Sequence, residues 1–268
     1  MKRDLLLDSL KLLAIILVVV IHLPEVGLGR QGVYPIFANA VFATLSGMFI
    51  FKGGNFKKWL KRRWHRLVLP YLVWELVYVI LGMCFDVYMN KFNSPSVNEV
   101  YHWIFWGDGS VHLWFIVTLF YVQLILWLIC YAHERWLRWL SHELILIVIS
   151  LVCISCFTYG IGGLNVRRMV FMMGFCSLGI LLRVPYNCLV GNRFLRDDYT
   201  WAKYLMGVYL CHFLFTRIAS MLYSFLCKIM PHVLVLTGEI IFAFGASWCF
   251  VCLSKQVYWL WGMRKDSV

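Results

Sequence analysis

The sequence predicts an all-α fold, a polytopic transmembrane helical bundle of about eight spans with both termini in the cytoplasm. Three observations predict it. Apolar residues make up 62% of the 268 and charged residues only 14%, and mean hydropathy is +0.76. That is more apolar surface than a soluble domain of this length can bury. The apolar residues also fall in long runs separated by short basic connections. Trp and Tyr favour the headgroup level, and Trp59, Trp64, Trp103, Trp136, Trp139, Trp201, Trp259 and Trp261 stand at run edges.

The spans are expected at about 6–23, 34–52, 67–86, 111–131, 143–159, 168–184, 204–226 and 234–253, each near the length that crosses the hydrocarbon layer as a helix. The first resembles a secretory signal, with Lys2 and Arg3 before an apolar run. Asp8 and Lys11 interrupt that run and no small-x-small site follows, so it is read as a retained helix. The stretch 57–66 is the densest basic connection. Arg135 and Arg138 mark the next on that side, then Arg183, Arg193, Arg196 and Lys203, then Lys255, Arg264 and Lys265 in the tail. With Lys2, Arg3, Lys11 and Lys52, roughly 19 of the 25 Lys and Arg fall on one side, which the positive-inside rule makes the cytoplasm. The opposite side carries one long polar loop, about 87–110. No internal repeat or separate soluble domain is evident, so residues 1–268 read as a single domain.

The net charge of +12 is explained by this topology and not by nucleic acid, because the basic residues flank apolar spans. Most of the ten Cys lie inside spans. There the CxxC spacings at Cys153–Cys156 and Cys249–Cys252 only place two small residues on one helix face. No disulfide framework, metal or prosthetic group is expected.

The first span carries three polar residues along one face. Lys11 and His22 are eleven residues apart, so they differ by roughly 20° in azimuth and about 16 Å in height, with Asp8 within roughly 40° of the line. Ionisable groups inside a span are costly and are retained mainly for function. The stripe therefore faces a cavity, with a charged ligand at one end and chemistry deeper in. His22 has two readings: a hydrogen bond to a neighbouring helix, or a general base near neutral pH. Asp8 is about 21 Å along the helix from His22, too far to orient it. Arg63 and Arg66 also have two readings. They are topology determinants beside anionic lipid, or a pair of guanidinium groups on one face for bidentate phosphate capture. Of the other polar positions in apolar runs, Ser46-Gly47 reads first as a close helix-packing point. Glu75 reads as the partner of a cation on another helix. His112 and Trp114 read as interfacial anchors, and Arg217 as snorkelling or lining the cavity.

Taken together, these residues resemble the membrane-bound acyltransferase 3 family. The resemblance begins at Leu7-Asp8-Ser9-Leu10-Lys11, with Lys11 and His22 at the family's basic-residue-to-histidine spacing. It continues through Ser46-Gly47, Arg63-Trp64-His65-Arg66 before Pro70-Tyr71, His112-Leu113-Trp114-Phe115, and Tyr209-Leu210-Cys211-His212. It implies transfer of an acyl group, usually acetyl, from cytoplasmic acyl-CoA to a carbohydrate or glycolipid hydroxyl at a plasma (bacterial inner) membrane. Acyl-CoA is then a co-substrate, and no cofactor is bound. Carried over, His22 is the catalytic histidine, and Asp8, in the same polar stripe, is the second catalytic residue. Lys11, Arg63 and Arg66 hold the acyl-CoA, and His212 or Arg217 stabilises the oxyanion. Ser46, His112, Trp114, Tyr209, His212 and Arg217 are the cavity candidates. Two departures stand out. Lys11 occupies the family's usual Arg position and lacks the bidentate fork. A polar stretch between Leu182 and Lys203 replaces a helix pair, giving a short variant. Two other functions remain in play: a family-like exporter of an acylated glycan or small anion, and an inactive relative.

Overall fold

A computed structural model describes residues 3–23, 33–50, 55–89, 94–109, 112–136, 139–190, 195–196, 204–226 and 228–261. Lys2, Lys52, Arg138, Arg193, Trp201, Lys203, Arg264 and Lys265 lie outside them. The chain forms α1 (Leu5–Ile21), α2 (Val33–Met48), α3 (Phe56–Arg63), a π turn (Trp64–Val68), α4 (Leu69–Tyr88), α5 (Val97–Trp106), α6 (Trp114–Trp136), α7 (His142–Thr158), α8 (Leu164–Val190), α9 (Leu205–Leu226), α10 (His232–Leu253) and a short 3-10 segment (Lys255–Trp261). Among the described residues the fold is all-α apart from a two-residue ladder. In it Arg3 pairs with Arg196 and Asp4 with Leu195, so the residues before α1 lie beside those after α8.

All eight expected spans are helical. Five helices among the described residues are long and apolar enough to cross a membrane: Phe56–Tyr88, Trp114–Trp136, Leu164–Arg183, Leu205–Tyr223 and His232–Leu253. The helices α1, α2 and α7 are shorter, at 17, 16 and 17 residues. Each rises about 25 Å, against about 30 Å of hydrocarbon.

Two expectations about connections are corrected. The loop 87–110 contains a helix, α5. Ser96 accepts from the Glu99 N–H at 3.2 Å while Glu99 accepts from the Ser96 N–H at 2.7 Å, a reciprocal capping box. Gly107, at φ 69°, closes the helix by donating to His102 and Trp103, a left-handed position that favours glycine. The second correction concerns Arg183. The expected break near residue 184 does not occur, and α8 runs through Pro185 to Val190, so Arg183 is helical and not in a loop.

The sequence predicts one domain, and the chain divides into two compact units, Met1–Phe42 with Asn187–Val268, and Ala43–Tyr186. The division falls inside α2 and α8, which explains why no composition shift marks it. In the first unit α1 packs on α9 and α10 around Ile15, Val19, Val208, Leu210, Ala243 and Val251. In the second, Ser150 of α7 donates to the Gly174 carbonyl of α8 at 3.0 Å, and α2 crosses α8 at Gly47. A Cβ on Gly47 would collide with the Cys176 carbonyl oxygen. Ser46-Gly47 is therefore a close-packing point, as small residues in membrane helices commonly are.

Candidate active site

In the first unit, the end of α1 meets the middle of α9. The last carbonyls of a helix lack intrahelical donors, and His22 lies just past α1, where it supplies one. Its Nδ1 is 2.7 Å from the Val18 carbonyl oxygen. A carbonyl only accepts, so Nδ1 carries the proton and the neutral ring has its lone pair on Nε2. His212 obeys the same logic. Its Nδ1 is 2.7 Å from the Tyr209 carbonyl oxygen, which makes its Nε2 the accepting nitrogen. That atom lies 3.4 Å from His22 Nδ1, with ring centroids 5.1 Å apart. His212 is fully buried at 0% exposure and His22 is half-buried. The arrangement fixes the His22 tautomer and turns its basic nitrogen away from the pair.

Around the imidazoles, Phe213 sits edge-on to His22 at 5.9 Å. Tyr209 is buried against Phe42 and His212. Arg217 is exposed, with its guanidinium 4.9 Å from the Phe213 ring centre. At the other end of α1, Lys11 Nζ lies 2.7 Å from Asp8 Oδ1. Asp8 is buried and the Lys11 side chain is 32% exposed. Asp8 thus stands with Lys11 and not with His22.

In the second unit, α3 carries Lys57, Lys58, Lys61, Arg62 and Arg63, and Asn55 caps its start by accepting from the Lys57 N–H at 2.8 Å. Arg63 donates to the Phe49 carbonyl at 3.2 Å and lies 5.9 Å from the Trp59 ring centre. Arg66 falls in the π turn. A π turn winds wider than an α-helix and is frequent at functional sites, so it rotates α4 relative to α3. The α-helical spacing assumed for Arg63 and Arg66 does not hold across it. Both side chains are half-buried.

Farther along this unit, Tyr71 donates to the Trp103 and Ile104 carbonyls at 2.7 and 2.8 Å. Asp108 pairs with Arg168 at 2.6 Å and with His102 at 3.2 Å. Arg168 lies 4.7 Å from the centre of the Trp114 ring. His112 is 2% exposed and packs edge-on to Tyr78 at 5.0 Å. It is a core residue, which corrects its reading as an interfacial anchor. Glu75 is buried with Oε1 facing Gly109.

The expected site residues therefore divide between the units. His22, Asp8, Lys11, Tyr209, His212 and Arg217 belong to the first, and Ser46, Arg63, Arg66, His112 and Trp114 to the second. The sequence reading missed Glu239, a buried carboxyl on α10 that accepts from Ser220 at 3.1 Å. A lone Glu in an apolar span was the available signal, the same one that singled out Asp8.

Five described helices are long and apolar enough to cross a membrane, which fits an integral membrane protein. The profile of the acyltransferase domain family matches residues 4–187. The chain belongs to the membrane acyltransferase 3 family. No curated protein matches the chain, and no solved structure does. The family match covers α1 and the Arg63–Arg66 segment and ends before α9, so it does not reach the Tyr209–His212 block, whose His212 contacts His22.

Proposed function

We propose that this protein is an O-acyltransferase that moves an acyl group, acetyl in the first instance, from cytoplasmic acyl-CoA to a hydroxyl of a surface carbohydrate or glycolipid. The protein crosses the plasma membrane eight times with both termini inside. The contacts of His22 Nδ1 with the Val18 carbonyl and His212 Nε2, from which its tautomer follows, carry this reading. With Nδ1–H held by Val18 and His212, Nε2 is the atom that takes the acceptor's hydroxyl proton. The alkoxide oxygen attacks the thioester carbonyl and forms the C–O bond. The C–S bond breaks, and the departing CoA thiolate takes the proton back from Nε2. When Nε2 is protonated, the His212 lone pair faces the remaining N–H and steadies the imidazolium. His212 is then a positioning residue and not an oxyanion donor.

Lys11, Arg63 and Arg66 supply cations for the CoA phosphates, and Asp8 fixes the Lys11 ammonium. The exporter and inactive readings remain outcomes of the test. Labelled acetyl-CoA is supplied to membranes expressing wild type, His22→Ala and Arg63→Ala/Arg66→Ala, with host glycan as acceptor. Label in glycan with wild type and none with His22→Ala supports the enzyme and its base. Label unaffected by His22→Ala overturns the assignment. No transfer over several donors and acceptors with well-expressed protein overturns the enzyme reading.

A further inference from the structure

The donor reading uses Arg63 and Arg66 and leaves the four cations that precede them on α3 without a role. Lys57, Lys58, Lys61 and Arg62 are all exposed. They fall within about 140° of one another around the helix, and Phe56, Trp59, Leu60 and Arg63 fill about 100° on the other side. Burial follows the same division, since these last four are half-buried. The apolar side is held in place. The Phe56 and Trp59 rings lie 4.5 and 6.0 Å from the Trp127 ring of α6, and Trp127 stacks on Tyr131 at 5.4 Å. The cationic side faces outward.

No counter-charge answers that side. No Asp or Glu occurs in the chain between Glu25 and Glu75, and among the described residues no ion pair includes any of the four cations. Lys57 with Lys61 and Lys58 with Arg62 are like-charge pairs at i, i+4, which destabilise a helix. An anion outside the protein relieves them.

The position of α3 names the anion. With the π turn and α4 it forms one helical run, Phe56–Tyr88, of 33 residues. That run is about 50 Å long, against about 30 Å of hydrocarbon, and its apolar part begins only at Leu67. Arg62 and Lys61 stand about 8 and 9 Å from Leu67 along the axis, with Lys58 and Lys57 one turn farther. The headgroup layer extends about 5–7 Å beyond the hydrocarbon, and long basic side chains reach toward it. Trp64, 45% exposed, lies between, at the level that Trp favours. Four or more Lys and Arg immediately beside a span are the footprint of anionic-lipid recognition.

We infer that α3 is a docking site for anionic phospholipid, in which Lys57, Lys58, Lys61 and Arg62 bind headgroup phosphates of the cytoplasmic leaflet while Phe56 and Trp59 hold the helix on α6. Arg63 lies on the opposite side, so lipid phosphates and donor phosphates use different side chains of one helix. The choice of leaflet rests on the proposed topology. The binding does not rest on the acyltransferase reading.

The test uses full-length protein in detergent, with native mass spectrometry comparing bound phosphatidylglycerol and phosphatidylcholine of the same acyl chains. Wild type is set beside Lys61→Gln/Arg62→Gln, the fourfold Lys57→Gln/Lys58→Gln/Lys61→Gln/Arg62→Gln, and Arg135→Gln, which removes an exposed cation of the next basic connection. At no more than about fivefold per cation, wild type is expected to prefer phosphatidylglycerol by on the order of 10²-fold, the double variant by about tenfold and the fourfold variant not at all. Arg135→Gln is expected to keep the wild-type preference. Equal melting temperatures in phosphatidylcholine nanodiscs show that the variants fold, and the double variant carries the test if the fourfold one does not. A preference that survives in the double and fourfold variants overturns the site. An equal loss in Arg135→Gln and the double variant also overturns it, because net charge then explains the effect. If the fourfold variant keeps its lipid and raises the KM for acetyl-CoA in phosphatidylcholine nanodiscs, the row serves the donor. The inference then falls and the enzyme reading stands. If wild type shows the preference and transfers acetyl to no acceptor, the inference stands and the enzyme reading falls.

Discussion

The two compact units differ in where they keep their charged side chains. The unit built on α1, α9 and α10 buries its carboxyls at Asp8 and Glu239 and its imidazole at His212, while Arg217 stays exposed. His212 is fully buried, Asp8 and Glu239 nearly so, and each polar contact is made to a fixed partner. The unit from Ala43 to Tyr186 presents a row of cations on α3 at its surface. Lys57, Lys58, Lys61 and Arg62 on α3 are exposed, and Arg63 and Arg66 are half-buried. The difference teaches what each can do. A general base needs one tautomer and one orientation, which burial and carbonyl partners impose. Anion capture needs guanidinium groups that reach a mobile phosphate chain, which deep burial would prevent.

The sharpest way to break this contrast is His22→Ala. Loss of a positioned base is expected to lower acetyl transfer about 10²–10⁴-fold with the KM for acetyl-CoA unchanged, measured as initial rates in membranes. Arg63→Ala/Arg66→Ala tests the other side. A charge-assisted hydrogen bond is worth about 1.5–3 kcal/mol, so the KM for acetyl-CoA is expected to rise about 10- to 100-fold with kcat nearly constant. Added salt should weaken wild type more than the variant. An effect on kcat alone would show that the cationic helix acts on the chemistry and not on the donor. His212→Ala sharpens the first unit's side. Removing one neutral hydrogen bond of about 1 kcal/mol should lower kcat several-fold and move its pH profile, leaving the KM for acetyl-CoA alone. An unchanged pH profile would reduce His212 to packing.

Two smaller effects probe the scaffold of the second unit. Gly47→Val forces a side chain against the Cys176 carbonyl. It should cost about 1–3 kcal/mol, typical of overpacking, seen as a lower melting temperature in detergent. The smallest effect belongs to α5. The Ser96 N–H and hydroxyl hold the exposed Glu99 carboxyl below the usual carboxylate range. A depressed pKa means the cap is present above the ordinary carboxylate pKa and is lost as pH falls through the folded value. Protection factors along α5, taken relative to the intrinsic exchange rate at each pH, are expected to fall on acidification in wild type but not in Glu99→Gln.

Much of the architecture was legible because hydrophobicity in a bilayer is a property of the residues themselves. A run of apolar side chains with saturated backbone bonds has few alternatives to a helix, so all eight runs are helical. The spacing of Lys11 and His22 was legible for a related reason, since a helix converts residue number into angle and height. Local chemistry was legible only where a motif was sought. Ser96 and Glu99 spell a capping box, yet the polar character of residues 87–110 masked it.

By itself, then, the sequence determined the membrane-helical class, the helices, the family and the candidate base, because each depends on composition or on residues near in the chain. The tertiary structure alone decided that His212 stands behind His22 across 190 positions and that Asp8 is paired with Lys11. It likewise decided that His112 is core, and that Glu239 meets Ser220. The division inside α2 and α8 and the π turn at Trp64–Val68 were decided there as well. These depend on which helix face meets which neighbour, and that is settled by packing among many side chains at once and by no single stretch of chain.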